Sequence, residues 1–379
     1  MAGVDGTNRD APSAARSRLR SARIARSLSQ QQLAALAGVS RQAVAAVEAE
    51  RSEPSLRLAL TLAEALGMTV ESLFGADTSI APITGEALAE VGPVHSRAAL
   101  VTVGTRVVAA PLRGDTGSRS GFAPATALVT PDPGAFAPLA PLRPTVVVAG
   151  CDPALSLLET PLAHLDPPFA FLWRSCGSRE ALELAAAGLV HAAGIHVRDD
   201  APGRYNHDAL ARIGSGPHRL VGFASWRQGL AMRADLAETV GGLEDAVNLG
   251  LRLVNREAGS EARSVIDRIA AAAGVRAEEI PGYGAEVHGH LDVAAAIANG
   301  LADFGVASEP AALAYGLAFV ALTDERFDLV VTPGLGDTPE VQALVRVLTS
   351  PWLRRQLQCI DGYDALTCGE RVDLGTSRT

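Results

Sequence analysis

Between Ser29 and Phe74, apolar positions recur at helical spacing and are broken by residues that start or stop helices. Ser29 opens the first segment, and Gln32 three residues on completes a capping box. Leu33, Leu36 and Ala37 form its apolar face. Gly38 supplies a sharp corner that tolerates positive φ. Ser40 caps the next helix, in which Val44 and Val47 face inward while Arg41, Gln42, Ala45 and Ala46 face out. Pro54 and Ser55 open a third segment from Leu56 to Leu66, stopped by Gly67. Two short helices about a glycine corner, the second with a polar exposed start, predict a helix-turn-helix. A small helical bundle used only for dimerisation is the rival reading.

The pattern then changes twice. From Gly75 to Pro93 it breaks up into Gly, Pro, Thr and Ser, as in a linker with one short helix near residues 86–91. Residues 97–143 read as a small β-rich connector containing an arginine- and glycine-bearing turn. From Arg143 onward short apolar runs alternate with helical stretches. Strands are expected at 145–149, 169–173, 190–197, 220–224 and 251–254, with helices at 152–159, 178–187, 206–213, 260–273 and 290–299. That alternation predicts a parallel α/β sheet long enough for two lobes. The expected domains are 14–75, 76–143 and 144–370.

Composition agrees with several domains: the 379 residues are 48% hydrophobic and 20% charged. The net charge of −9 is unevenly spread. Residues 1–75 hold nine Arg against seven acidic residues and the remainder holds 24 against 35, giving +2 and −11. Every basic residue is arginine. A mildly basic reader therefore sits beside an acidic partner domain, and phosphate contacts must be local. The polar opening, Met1 to Ala15, carries no apolar run, and no later stretch has the length of a membrane span, so a cytoplasmic protein without a membrane partner is expected. The four cysteines, at 151, 176, 359 and 368, show no C-x-x-C spacing, which argues against a zinc site or a disulfide framework.

Candidate chemistry lies in loops between strand ends and helix starts: Gly150-Cys151-Asp152, Cys176-Gly177-Ser178, Gly194-Ile195-His196 and Arg256 to Ser260. Ligands of open α/β sheets sit where helix N-termini converge, and several N-termini aimed at one cleft favour an anion. Ser178 and Ser260 are each placed to cap a helix and to donate to a bound oxyanion. Cys151 and Cys176 follow strand ends and could face each other. His288 and His290 form a His-x-His pair with no third ligand near in sequence, so no metal and no cofactor are expected. There is no G-x-S-x-G, H-E-x-x-H, Walker loop or strand-following G-x-G-x-x-G. Binding without turnover fits better than catalysis.

Two resemblances rest on these residues. The stretch LSQQQLAALAGVSRQAVAAVE and the helices after it resemble the Cro and phage-repressor class of DNA-binding domains. That resemblance implies a Ser40–Glu48 helix in the major groove of double-stranded operator DNA, bound by a homodimer. Arg41 and Gln42 would read bases, Gln31 would touch phosphate, Ser40 would lie at the DNA-binding surface as the helix cap, and Ala45 would allow close approach. It also implies that Arg23 pairs with Glu48 as a structural contact.

The series VVVAGCDPALSLLE, GSREALELAAAGLVHAAGIHVRD, GRYN, LVNREAGSEARSVIDRI and GLADFGVASEPAA resembles the periplasmic-binding-protein-like domain related to molybdate-binding proteins. This implies an α/β two-lobe domain behind an all-α helix-turn-helix domain. The implied cleft is lined by Asp152, Ser178, His196, Asn206, Arg256, Ser260, Arg263 and Glu309. One departure matters: the family loop Gly-Ser-Gly-Thr-Arg is here Gly259-Ser260-Glu261-Ala262-Arg263. The whole reads as a one-component transcription regulator sensing molybdate, tungstate or another oxyanion. A sensor or enzyme of cofactor or small organic acid metabolism, with the helix-turn-helix as a regulatory module, is the alternative.

Overall fold

A computed structural model describes residues 14–49, 51–74, 81–112, 123–199, 204–213 and 218–374. The polar opening, residues 75–80 of the expected linker and the turn at 113–122 lie outside the described residues. The chain divides into two compact units, residues 1–80 and 81–379.

The first unit is helical: α1 (Ala14–Ala25), α2 (Gln30–Ala37), α3 (Arg41–Glu48), α4 (Leu56–Ala65) and α5 (Val70–Phe74). The side-chain oxygens of Ser29, Ser40 and Ser55 accept the amides of Gln32, Ala43 and Leu58, so each of α2 to α4 is closed by its own cap. Ser29 and Gln32 form the reciprocal capping box. Gly38 is left-handed at φ 65°, a conformation that costs glycine nothing. Leu19, Leu33, Val44, Val47, Leu62, Leu66 and Leu73 make the core. Leu36 departs from expectation and is 62% exposed, because Leu33 and Ala34 already fill the inward face of α2.

The second unit begins with a six-stranded sheet of β1 (Ile83–Thr84), β2 (Glu86–Ala87), β3 (Arg97–Val103), β4 (Arg106–Pro111), β5 (Ala127–Val129) and β6 (Ala135–Pro138). The helix expected at 86–91 is instead strand β2. Ala87 pairs with Ala109 of β4, and the Leu88 amide donates to Ala109, so the sheet edge claims those backbone groups. The inner face of β3 and β4 packs Val101, Val103 and Val108 against Val147 and Ala149 of the larger sheet.

That larger sheet holds β7 (Thr145–Ala149), β8 (Ala170–Arg174), β9 (Ala192–Ile195), β10 (His218–Met232), β11 (Leu253–Arg256), β12 (Glu286–Val287), β13 (Phe304–Ser308), β14 (Ala318–Val331), β15 (Tyr363–Asp364) and β16 (Arg371–Leu374). Its main path runs β12-β11-β13-β10-β14-β9-β7-β8, and β15 and β16 also pair with β10. The sheet is mixed where a parallel one was expected. β7 is parallel to β8 and β9, and β11 to β12 and β13, whereas β10 runs antiparallel to β13 and β14.

The source of the difference is the length of β10, read from sequence as only residues 220–224. The polar Arg227 and Gln228 interrupt its apolar run, yet the strand continues to Met232 beside β14. Gly229 permits it: a Cβ there would meet the Val320 carbonyl oxygen at 2.1 Å. β10 and β14 thus cross both lobes. One lobe packs Phe223, Trp226, Phe327 and Leu344 about β7, and the other packs Leu230, Ile266 and Phe304 about β11 and β13. The helices that matter for the site are α6 (Glu159–Ala163), α7 (Ser178–Ala186), α8 (Leu243–Asn248), α9 (Glu261–Ala273), α10 (His290–Ala298) and α11 (Glu309–Ala314). Residues 153–158 and 208–213, expected as α-helix, are 3₁₀ turns. Asn206 before the second has a left-handed φ of 68° and cannot begin a helix.

Candidate functional site

In the helical unit, Gln31, Ser40, Arg41 and Gln42 are exposed, and Ala45 is half-buried. The Ser40 hydroxyl oxygen caps α3 through the Ala43 amide at 3.1 Å, which leaves the first turn of α3 presented with Arg41 and Gln42 on it. Behind that face Arg23 grips Glu48 with two bonds, Nε to Oε1 at 2.7 Å and a terminal nitrogen to Oε2 at 2.9 Å. Arg23 also donates to the Leu28 carbonyl at 2.8 Å, and Gln30 donates to Glu48 at 2.8 Å. Burial would raise the Glu48 pKa, but the Arg23 and Gln30 bonds outweigh it and hold the carboxyl below its ordinary value. This pair fixes α1 to the end of α3, as the sequence implied.

The second unit contains a cavity of about 410 Å³. Its walls come from the loop after β8 (Ser175, Cys176, Gly177), the loop after β11 (Glu257 to Ser260), the start of α10 (His288, Gly289), Cys151 after β7, and Glu90 and Pro111 of the smaller sheet. The first turn of α7 and the residues that lead into α9 and α10 therefore border it together, and helix N-termini favour negative charge. Arg174, Arg179 and Arg256 supply cations. Arg174 is engaged by Glu180 at 2.9 Å, and Arg256 is held bidentately by Glu257 at 2.7 and 2.8 Å. Arg179 has no carboxylate partner among the described residues. Its guanidinium lies over Gly259, where a Cβ would come within 2.9 Å of it.

Of the eight residues expected to line the cleft, Arg256 and Ser260 border the cavity. Ser260 also caps α9, accepting the Arg263 amide at 3.2 Å and donating to the Glu257 carbonyl at 3.0 Å. Ser178 accepts the His196 amide at 3.1 Å. Asn206 accepts the Val197 amide at 2.7 Å and donates to Asp328 at 2.7 Å. Arg263 donates to Glu286 at 2.9 Å and lies 4.3 Å over the Tyr283 ring. Glu309 is paired with Arg227. Asp152 accepts from the Ala154 amide at 2.8 Å, the Trp226 indole at 2.7 Å and the Tyr363 hydroxyl at 2.6 Å. Burial outweighs those donors and raises its pKa. None of these five, nor His196, is among the residues that line the cavity.

Below the mouth lie Cys151, His196 and His290, each with one ligand-type atom within 4.8 Å of the others. His196 Nδ1 faces Glu325 at 3.3 Å. Burial alone would lower the His196 pKa, yet the Cys151 sulfur and the Glu325 carboxylate lift it well above the ordinary imidazole value. Sequence reasoning missed Arg179, Glu325 and the joining of His290 to Cys151. Arg179 was detectable, being one residue inside a helix start already marked as a cavity wall. His290 was noticed as half of a His-x-His pair, but its neighbours come from residues 139 and 94 positions earlier in the chain.

The fold and the cavity define a two-lobe binding domain carried with a helix-turn-helix domain. Residues 160–349, half of the chain, match the PBP superfamily domain, and residues 19–73 match a helix-turn-helix family of XRE type. The chain belongs to the PBP superfamily, with a DNA-binding type of domain at its N-terminal end. Both matches are to binding families rather than enzyme families.

Among similar proteins is the uncharacterized protein YvgK of Bacillus subtilis (strain 168), 28% identical over 233 residues, which are 61% of this chain and 74% of that one. The restriction-modification controller protein C.AhdI from Aeromonas hydrophila is 40% identical over 16% of this chain and 94% of its own, at a TM-score of 0.16. The tungstate ABC transporter structure from Geobacter sulfurreducens is 13% identical over 55% of this chain and 95% of its own, at a TM-score of 0.41. Neither structural likeness carries a ligand across to this chain. Among the described residues no helix is long and apolar enough to cross a membrane.

Proposed function

We propose that the protein is a one-component transcription regulator whose two-lobe domain senses a small anion. The observation that carries the reading is the convergence of three helix N-termini and Arg179 on one cavity, in a chain that also bears a helix-turn-helix. Such a cavity suits an oxyanion or an anionic metabolite: backbone amides and a guanidinium donate, and no catalytic step is needed. Molybdate and tungstate are the first candidates because the domain resembles that of molybdate-binding proteins. Arg179, Arg256 and Ser260 would be the direct contacts. Asp152, Ser178, His196, Asn206, Arg263 and Glu309 would hold the walls around them.

In the helical unit Arg41 and Gln42 would read bases from the major groove. Gln31 would meet phosphate, Ser40 would cap the helix at that surface, and Ala45 would allow close approach. Leu56 and Leu60, one turn apart on α4 and 74% and 53% exposed, supply an apolar strip for a second copy, which supports a homodimer on a two-fold operator.

The test is a thermal-shift and titration series on the full chain with tungstate, molybdate, phosphate and small carboxylates. An anion at a hundredfold excess over its Kd should stabilise the two-lobe unit by about 2.7 kcal/mol. The response should be lost in Arg179→Glu. No shift with any anion, or an equal shift in Arg179→Glu, contradicts the reading.

A further inference from the structure

Beneath the arginine-lined mouth, Cys151 stands among groups that the anion reading does not use. The two imidazoles beside it are hydrogen-bonded in different ways. His196 has Nδ1 on the Glu325 carboxylate at 3.3 Å, so Nε2 is the nitrogen able to take a proton. His290 Nδ1 accepts the Ser308 amide N–H at 3.1 Å, so in the neutral ring Nε2 carries the hydrogen. A base held beside the sulfur by a carboxylate suits a nucleophilic cysteine. A metal would need both rings to offer a lone pair while their second nitrogens donate, and His290 is bonded the other way round.

A second observation marks the same place as one completed by a guest. Gln228 is fully buried, and neither atom of its amide has a hydrogen-bond partner among the described residues. It shares a face of β10 with Trp226, since strand residues two apart point the same way. The Trp226 ring lies 5.0 Å from that of His196 and 5.5 Å from that of His290. A buried amide without partners is costly, and a bound group with a donor and an acceptor would satisfy it.

We infer that Cys151 is a nucleophile, served by His196 as its base, that forms a covalent bond with an anionic, soft-electrophilic ligand admitted to the cavity. The anionic character rests on the proposed function; the nucleophile rests on the Cys151, His196 and Glu325 geometry alone. His196 takes the thiol proton, and the sulfur attacks an electron-poor carbon. The S–C bond forms as the bond to the leaving group breaks, and that group departs with the electron pair. The proton stays on His196 until water removes it. Glu325 is a positioning residue, holding the ring so that Nε2 serves the sulfur. The other titratable groups around this pair are Asp152, Cys176 and Tyr363. Burial raises the pKa of each, which disfavours further negative charge beside the sulfur.

The experiment alkylates the full chain with iodoacetate and with neutral iodoacetamide and follows each cysteine by mass spectrometry. The exposed Cys359 is the internal reference. At about pH 6.5, iodoacetate should modify Cys151 about tenfold faster than Cys359, with iodide as the leaving group and a smaller preference for iodoacetamide. His196→Gln should slow Cys151 about tenfold and steepen its rise with pH, whereas Glu325→Gln should slow it about threefold, with Cys359 unchanged in both.

Cys151 slower than Cys359 with both reagents in the unsubstituted chain overturns the inference without recourse to a variant. Fast iodoacetamide with no gain for iodoacetate keeps the nucleophile and refutes the anionic ligand. One equivalent of Zn²⁺ that is retained and shields Cys151 overturns the inference in favour of a metal site.

Discussion

The helical unit and the two-lobe unit are held together over very different distances along the chain. In the helical unit each of α2 to α4 is opened by a serine three residues from the amide that it caps, and the bidentate pair of Arg23 and Glu48 spans 25 residues. In the two-lobe unit, His196 reaches Glu325 across 129 residues and Asp152 reaches Tyr363 across 211. Local caps make a unit whose shape is written segment by segment. Long-range polar contacts make a site that exists only once the sheet has closed.

The largest effect that sharpens this contrast should come from that pair in the helical unit. Arg23→Ala leaves the Glu48 carboxylate without its counter-ion and with Gln30 as its remaining donor, which costs about 3 kcal/mol. The urea midpoint of the helical unit should fall accordingly while that of the two-lobe unit stays put. A loss under 1 kcal/mol would mean that the caps alone hold α1 to α3.

The two-lobe unit should instead be sensitive to pH through His191. Its ring is fully buried and accepts the Val147 amide at 3.0 Å, and burial pushes its pKa down to about 4. The unfolded chain takes up a proton near pH 6.5, whereas the folded chain does not until about pH 4. The His191 contribution is therefore whole above pH 6.5 and is lost as pH drops, by about 3 kcal/mol at pH 4. Urea denaturation across that window should show the slope, and His191→Gln should flatten it. A variant with the same slope as the parent would show that another group titrates.

A smaller effect is expected at the proposed DNA-reading face of α3. Arg41→Ala should cost about 1–3 kcal/mol of discrimination at one operator position and leave stability within about 0.5 kcal/mol, because the side chain is exposed. Selection of bound sequences from a random pool measures it, and unchanged selectivity would contradict the assignment of α3. The smallest effect concerns caps: Ser55→Ala should cost α4 about 1 kcal/mol, read from the helical unit's midpoint, and leave anion binding as it was.

The same contrast explains what the sequence revealed. Ser29, Gln32, Gly38 and Ser40 announce their helices because their partners lie within a turn, and the Arg23–Glu48 pair followed from a resemblance. The strand-helix rhythm marked β7, β8 and β9 correctly in kind but hid the run of β10 past Trp226, which depends on Gly229 lying against β14. The cavity walls at Cys176-Gly177 and Gly259-Ser260 were visible as strand-to-helix loops. The grouping of Cys151 with His196, His290 and Glu325 was not, because no local spacing joins residues that meet only through sheet pairing. His290 alone, with its Nδ1 on Ser308, looks like any helix-start histidine.

The proposed function requires that anion binding and DNA binding be coupled. Operator binding by the full chain, followed by fluorescence anisotropy with and without saturating tungstate or whichever anion stabilises the protein, tests it most directly. The account predicts that the anion shifts the DNA Kd by about 5- to 150-fold, and that saturating DNA shifts the anion Kd by the same factor. An operator affinity that is identical with and without a bound anion would contradict it.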